Sequence, residues 1–144
     1  MLDRAGVALL MIKPFLLSYV GAGVVFAVVD LLWLGWIAKG FYDGQLGSLR
    51  ADQVRVFPAV LFYLAMLAGL TYFAILPELG APGIWSTALR GAAFGFFCYM
   101  TYDLTNLATT RGWPPLLTAV DIAWGTLLSG LASAGGGLAA RVFG

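Results

Sequence analysis

Four long apolar segments, separated by short polar or proline-containing stretches, restrict what this chain can fold into. They cover about residues 14–38, 57–76, 87–109 and 115–141. At ~1.5 Å per helical residue, each is long enough to cross ~30 Å of hydrocarbon. Backbone polar groups must be satisfied internally in lipid. We therefore predict an all-α polytopic membrane protein, with four transmembrane helices in an antiparallel bundle and a single domain over residues 1–144.

The composition supports a membrane protein and excludes several functional classes. Hydrophobic residues make up 61% of the chain and charged residues only 10%, against ~25% charged residues in typical soluble domains. A net charge of +1 offers no basic surface for nucleic acid. The chain has no histidine, and its single cysteine, Cys98, cannot form an internal disulfide. Zinc, haem and cysteine-cluster sites are therefore not expected.

The first connection, residues 39–56, is the only sizeable loop. Phe41, Tyr42, Leu46 and Leu49 recur at roughly helical spacing among polar residues. This spacing predicts a short amphipathic helix at the membrane interface. A plain polar loop is the alternative, because the stretch also contains two glycines.

The basic residues give little indication of orientation. Pro14 suits a first helical turn, so residues 1–13 are expected to form a short leader in the interface. With four spans both termini lie on one side, which we call side A, and the opposite side is side B. Basic residues divide evenly between Arg4, Lys13, Arg90 and Arg141 on side A and Lys39, Arg50, Arg55 and Arg111 on side B. We expect cytoplasmic termini, because translocating a leader with two basic residues is unfavourable.

Ionisable residues inside the apolar segments are the main indication of function. Asp30, Asp103 and Asp121 lie in helices one, three and four, and Tyr63 is the main polar side chain of helix two. Helix rise places all four ~9–12 Å below side B. If they face inward, three carboxylates and a phenol form one polar layer. A charged residue costs at least ~2.5–3.5 kcal/mol at the bilayer centre, so such residues are functional candidates by default.

Neighbouring residues extend this predicted layer. Thr105 and Asn106 lie a turn toward side B, and Tyr99 lies a turn below the layer. Trp33 and Trp124 each follow an aspartate by three residues, where the indole N–H can donate to that carboxylate or the ring can shield it. The candidate ligand- or cation-binding residues are Asp30, Asp103, Asp121, Asn106, Thr105, Tyr102, Tyr63 and Tyr99, with Trp33, Trp124, Lys39 and Arg111 in support. Lys39 and Arg111 could also snorkel inward to pair with an aspartate.

Three carboxylates in a medium of low dielectric constant require compensation. Shared protons, a bound cation, or a cationic substrate or lipid headgroup would each supply it. An all-oxygen set suits magnesium, calcium or sodium better than zinc or copper, and Asp30, Asp103 and Asp121 are the ligands if a metal binds. The structural alternative is that these groups only join helices, through hydrogen bonds worth ~0.6 kcal/mol each.

Two further patterns concern the packing of the helices. Small residues recur at four-residue steps, at Gly91 and Gly95 and from Gly125 to Gly137, which predicts closely packed helix faces. In addition, Asp30-Leu31-x-x-Leu34 followed by Lys39-Gly40-Phe41 resembles Asp103-Leu104-x-x-Leu107 followed by Arg111-Gly112-Trp113. This repeat would relate two hairpins by an axis along the membrane normal, with chance similarity as the alternative.

Several runs of residues resemble a known family. They are Asp30-Leu31-Leu32-Trp33-Leu34-Gly35, Thr101-Tyr102-Asp103-Leu104-Thr105-Asn106-Leu107-Ala108-Thr109 and Val120-Asp121-Ile122-Ala123-Trp124-Gly125, together with Phe41-Tyr42 and Leu46-Gly47. From about Pro14 to about Ser133 the chain resembles a family of small bacterial inner-membrane proteins known only as a domain of unknown function. The resemblance implies four membrane helices and a bacterial source. It implies no activity and no catalytic residue.

Three functions are consistent with the sequence. The first is binding or transport of a cation, a proton, or a small cationic or lipid ligand at the acidic layer, with a homodimer widening a narrow path. The second is a membrane-embedded enzyme that modifies a lipid or isoprenoid, although no paired aspartate motif supports it. The third is an accessory subunit of a larger membrane complex, in which the acidic layer would be dispensable. Membrane lipids are expected partners throughout, and the only cofactors suggested are a hard cation or a bound lipid.

Overall fold

The protein is all-α, as predicted. The computed structural model describes residues 4–144, with side-chain surroundings from Leu10 onward except at residue 11. Its helices in chain order are α1 (Arg4–Leu32), α2 (Lys39–Leu46), α3 (Val56–Gly69), α4 (Trp85–Thr109) and α5 (Pro115–Phe143). A π-helical turn, Trp33–Ile37, follows α1, and a 3-10 turn, Gly47–Leu49, follows α2. After α3 the chain continues through the π-helical segment Leu70–Ile75 and the 3-10 turn Leu76–Glu78.

Three segments within the described residues are long and apolar enough to cross a membrane. They are Ile12–Ile37, Val56–Glu78 and Pro115–Phe143, close to the predicted segments 14–38, 57–76 and 115–141. The remaining predicted segment, 87–109, corresponds to α4. This helix has 25 residues, but it is less apolar because it includes Arg90, Asp103, Asn106 and several hydroxyl side chains.

The start of α1 differs from the sequence-based prediction. The helix begins at Arg4, so Pro14 lies inside it and residues 4–13 do not form a separate leader. Residues 1–3 of the predicted leader lie outside the described residues. The prediction that the helix begins at Pro14 is wrong, because the helix continues through this residue. An interior proline removes one backbone hydrogen bond and crowds the carbonyl group of residue i−4, but in an apolar segment an end of the helix would leave more backbone groups unsatisfied.

Helix α5 is the centre of the packing. It packs along α4 on one side and along α1 on the other. Phe26 of α1, Leu70 and Ile75 at the end of the α3 segment, and Leu128 of α5 are fully buried where these elements meet. The π-helical segment after α3 packs against α4, whereas α3 itself has no extensive contact with that helix. The first half of the α3 segment therefore stands apart from α4.

Small residues bring α4 and α5 close together. A Cβ atom added to Gly95 would meet the side chain of Ser129 and would lie 2.5 Å from the carbonyl oxygen of Gly125. The predicted close-packing faces are thus confirmed for these two helices. The close approaches follow one register, which pairs Gly91 with Ser133, Gly95 with Ser129, and Tyr99 with Gly125.

A short helix, α2, occupies the first loop, where the spacing of apolar residues predicts one. It packs against the π-helical turn that precedes it and against α5. On the outer surface of α2, Asp43 forms salt bridges with Lys39, at 2.9 Å, and with Arg50. α2 therefore folds back over the C-terminal end of α1 and the N-terminal end of α5.

Candidate functional site

A cavity of about 1050 Å³ occupies the gap between α3 and α4. Phe62 and Met66 of α3 and Phe94 and Phe97 of α4 form much of its apolar wall. Polar groups from four helices and from α2 complete the lining. They are Asp30, Tyr42, Tyr63, Tyr99, Thr101, Tyr102, Asp121 and the indole of Trp124. The cavity is therefore apolar for much of its surface and carries two carboxylates.

Asp30 of α1 is buried, with 4% of its surface exposed, and both of its oxygens are hydrogen-bonded. Oδ2 accepts a hydrogen bond from the Tyr63 hydroxyl of α3 at 2.6 Å. Oδ1 accepts one from Nε1 of Trp124, on α5, at 3.1 Å. Hydrogen bonds to a carboxylate are stronger than neutral ones. One side chain therefore ties three helices together at the edge of the cavity.

Asp121 of α5 is half-buried and accepts a hydrogen bond from the hydroxyl of Tyr42. That hydroxyl accepts a hydrogen bond from Nε1 of Trp33 at 3.3 Å. Burial, reinforced by the hydrogen bond to Asp121, raises the pKa of the Tyr42 phenol above its ordinary value of ~10. Tyr42 thus keeps its proton at neutral pH and donates a hydrogen bond to Asp121. This interaction fixes α2 over the cavity.

A stacked pair of tryptophans joins the two carboxylates. The rings of Trp33 and Trp124 lie 4.2 Å apart with an interplanar angle of 10°. Each belongs to an Asp-x-x-Trp sequence, but neither donates to the aspartate of its own helix. Trp124 donates to Asp30, and Trp33 reaches Asp121 only through Tyr42. Of the two possibilities that the sequence leaves open, donation within the same helix is not found, because stacking across the helices directs each N–H toward the other helix or toward α2.

Asp103 is fully buried but has different surroundings. No donor in the described part of the chain reaches either of its carboxylate oxygens. The register that pairs Gly95 with Ser129 and Tyr99 with Gly125 places Asp103 opposite Asp121 in the next turn. Its side chain therefore lies between α4 and α5, beside the cavity rather than in its wall. Asp30 and Asp103, which the sequence repeat would make equivalent, differ in their hydrogen bonding.

Most of the chain matches a known protein family. Residues 15–138 match the family described as "Predicted membrane protein (DUF2177)". The chain belongs to this DUF2177 family. The resemblance found in the sequence, to a family of membrane proteins of unknown function, is thereby confirmed. Neither a curated protein nor a solved structure matches the chain.

In this DUF2177 protein, the candidate residues from the sequence divide into four groups. The cavity wall contains Asp30, Tyr63, Tyr99, Tyr102, Asp121 and Trp124, and Trp33 stacks behind it. Asp103 lies between helices. Thr105 and Asn106 bond the backbone of their own helix instead, at 2.6 Å and 3.0 Å. Lys39 pairs with Asp43, and Arg111 lies exposed in the turn after α4.

The three aspartates named as ligands in case a metal binds do not form a metal-binding group among the residues described for this DUF2177 protein. Among the described residues, no three Asp, Glu, His or Cys side chains are arranged to hold a metal ion. Asp30 uses both oxygens on its two donors, and Asp103 is turned toward α5. Hard ions take ~6 or more oxygen ligands. Of the three aspartates, only Asp30 and Asp121 line the cavity.

Tyr42 lines the site but is not among the candidate residues predicted from the sequence, which only assigns it to the short helix in the first loop. Its hydroxyl is the donor that Asp121 uses. A signal was available, because Tyr42 is the only tyrosine in the loop over the end of the bundle where the aspartates were expected. The apolar wall, including Phe62, Phe94 and Phe97, had no distinguishing signal in a chain with 15% aromatic residues.

Proposed function

We propose that this DUF2177 protein binds a positively charged organic ligand in the cavity between α3 and α4. The observation that carries this proposal is the pair of carboxylates, Asp30 and Asp121, in a cavity whose other walls are largely aromatic. Binding is the step that a carrier and a receptor of such a ligand would share. Transport of the ligand, or of a proton with it, would follow from the same site.

The proposal includes four membrane crossings in an antiparallel bundle. α4 packs extensively on α5, with close approaches from Gly91 beside Ser133 to Tyr99 beside Gly125. A helix packed in this way on a membrane-spanning helix would cross beside it, with the polar residues Thr87 and Asp103 covered inside the protein. α2 would then lie in the interface on side B. We place the protein in a bacterial inner membrane, with both termini in the cytoplasm.

Charge and shape favour a cationic organic ligand. Asp121 lines the cavity and uses one of its oxygens to accept from Tyr42. Aromatic faces such as those of Tyr99 and Phe97 attract cations through their π electrons. A volume of about 1050 Å³ is at the upper end of pockets for drug-sized ligands, ~300–1,000 Å³, and far exceeds what a bare ion fills. The ligand should therefore combine a positive charge with a substantial apolar part.

Two ions of similar shape and opposite charge provide the test. The purified protein in mild non-ionic detergent would be titrated with tetraphenylphosphonium and with tetraphenylborate, using isothermal titration calorimetry. We expect saturable binding of tetraphenylphosphonium only. Asp121→Asn should weaken it at least tenfold, since a unit charge at ~4 Å contributes up to ~4 kcal/mol near a protein surface.

Asp52→Asn is the matched control, because it removes a carboxylate from an exposed position outside the cavity. It should leave the affinity for tetraphenylphosphonium unchanged. Equal uptake of both ions, or equal losses in Asp121→Asn and Asp52→Asn, would show partitioning into the micelle or general electrostatics, and would refute the proposal.

A further inference from the structure

We infer that the ligand is a single-chain amphiphile with a cationic headgroup, and that it enters sideways from the bilayer between α3 and α4. This inference rests on the proposed function and specifies its ligand. It depends on the polarity gradient along the cavity and on the exposure of the cavity walls.

The cavity changes from polar to apolar along the helix axes. It extends from Pro58 to Met66 on α3 and from Tyr102 to Phe94 on α4. Helix rise makes each of these distances ~12 Å. The side B end is lined by the hydroxyl groups of Thr101, Tyr102 and Tyr42, whereas the deep end is lined by Met66, Phe94, Phe97 and Cys98. An amphiphile therefore fits with its headgroup toward side B and its chain toward the middle of the membrane.

One carboxylate lies where such a headgroup would be placed, because Asp121 is bonded to Tyr42 at the side B end. Asp30 lies deeper, bonded to Tyr63, which is five residues or ~7.5 Å along α3 from Pro58. No lysine or arginine lines this cavity in the described part of the chain. A cationic headgroup would therefore meet negative charge and phenol oxygens without competing positive charge.

The walls of the cavity continue onto the outer surface of the protein. Phe62 and Phe97 line it from opposite helices, yet 45% and 60% of their surfaces are exposed. Ala65 of α3 also lines the cavity and is exposed. Since α3 packs little on α4, the opening faces the surrounding hydrocarbon. A lipid chain could pass through it without leaving the apolar phase.

Photolabelling in a bilayer tests this ligand class directly. The full chain in phosphatidylcholine nanodiscs would be exposed to dodecyltrimethylammonium carrying a diazirine on the last chain carbon, and labelled residues would be located by mass spectrometry. We expect labels at the deep end of the cavity, on Met66, Phe94 or Cys98. Outward-facing Val24 and Val28 of α1 should be labelled at least threefold less, because they represent general lipid contact.

Charge selection is tested with a neutral probe of the same chain length. Dodecanol carrying the same diazirine should label the deep end more weakly than the cation does. Asp121→Asn should lower labelling by the cation at least threefold and leave labelling by the alcohol unchanged. If the cation and the alcohol label the deep end equally, the gap holds lipid without selecting charge, and the inference is overturned.

A bulky side chain at the opening tests the sideways route. Ala65→Trp would project an indole into the gap, whereas Leu61→Trp on the same helix faces outward and does not line the cavity. Ala65→Trp should abolish labelling of the deep end, and Leu61→Trp should not. Equal labelling in both variants, or protein dimers seated over the gap in native mass spectrometry, would overturn the inference.

The two proposals can fail separately. If wild type binds tetraphenylphosphonium but the deep end of the cavity is not labelled by the amphiphile, the site for organic cations stands and the amphiphile is wrong. If tetraphenylphosphonium also fails to bind, both proposals fall.

Discussion

The contact between α4 and α5 at Gly95 yields a prediction whose size follows from the structure. A Cβ atom there would overlap the side chain of Ser129 and would lie 2.5 Å from the carbonyl oxygen of Gly125. The serine hydroxyl can rotate away, but the Cβ atom of Ser129 and the carbonyl oxygen of Gly125 are fixed to the backbone of α5. Gly95→Ala must therefore push the two helices apart over the neighbouring turns.

The expected loss of stability is the cost of overpacking less the helical preference of alanine. Overpacking a well-filled interface costs ~1–3 kcal/mol. Alanine is better than glycine in a helix by ~1 kcal/mol in water. We therefore expect Gly95→Ala to lower the free energy of unfolding by up to ~2 kcal/mol, and to be ~1–3 kcal/mol less stable than an alanine variant at a glycine without this overlap. It should also weaken tetraphenylphosphonium binding, because Tyr99, one turn away, packs on Gly125 and lines the cavity.

The assay is unfolding by sodium dodecyl sulfate titration in mixed micelles, followed by circular dichroism. Gly23→Ala is the control, since its added Cβ atom would meet only the end of the Leu67 side chain, at 3.3 Å. Adding Ser129→Gly to Gly95→Ala should restore part of the stability by removing the side-chain overlap while the backbone overlap remains. If Gly95→Ala is as stable as Gly23→Ala, the close packing described for α4 and α5 is incorrect.

Three further predictions concern the aspartates and the groups around them. Trp124→Phe keeps an aromatic ring but removes one donor from buried Asp30, and should lower the free energy of unfolding by ~1–3 kcal/mol, whereas exposed Trp85→Phe should not change it. Asp103→Asn should be as stable as wild type or more stable in the same titration, because the carboxylate has no donor among the described groups; a loss above ~1 kcal/mol would contradict this. Because the pKa of Tyr42 is raised in the folded state, its contribution is full below pH ~10 and falls as the unfolded phenol ionises. Thermal unfolding between pH 8 and 11 should therefore show a shallower decline for Tyr42→Phe than for wild type.

The sequence is sufficient to predict the helices because hydropathy and length determine them. Segments 57–76 and 115–141 fall within the helical segments observed, whereas Pro14 misled the prediction of where α1 begins. Hydropathy does not identify α4 as a span, because this helix carries Arg90, Asp103, Asn106 and several hydroxyl side chains.

The sequence predicts the height of each candidate residue along its helix, but not the neighbour that its side chain faces. Counting helix rise places Asp30, Asp103 and Asp121 at similar heights, but height does not say which neighbour each side chain faces. The glycine contacts between α4 and α5 set that rotation, and they turn Asp103 toward α5. The role of Tyr42 depends on how the first loop folds back, which no periodicity in the sequence specifies. The part of these residues in ligand binding stays a prediction.

The stacked indoles of Trp33 and Trp124 also give the molecule an intrinsic optical reporter. Two parallel indoles at 4.2 Å should couple their electronic transitions, so they should dominate the near-ultraviolet circular dichroism of the folded protein. One indole donates to Asp30 and the other connects through a phenol to Asp121, so the pair experiences the electric field of both carboxylates. A cation placed beside Asp121 would change that field. Occupancy of the cavity should therefore be observable in the unlabelled protein, as a change in the spectrum of two side chains that the ligand need not touch.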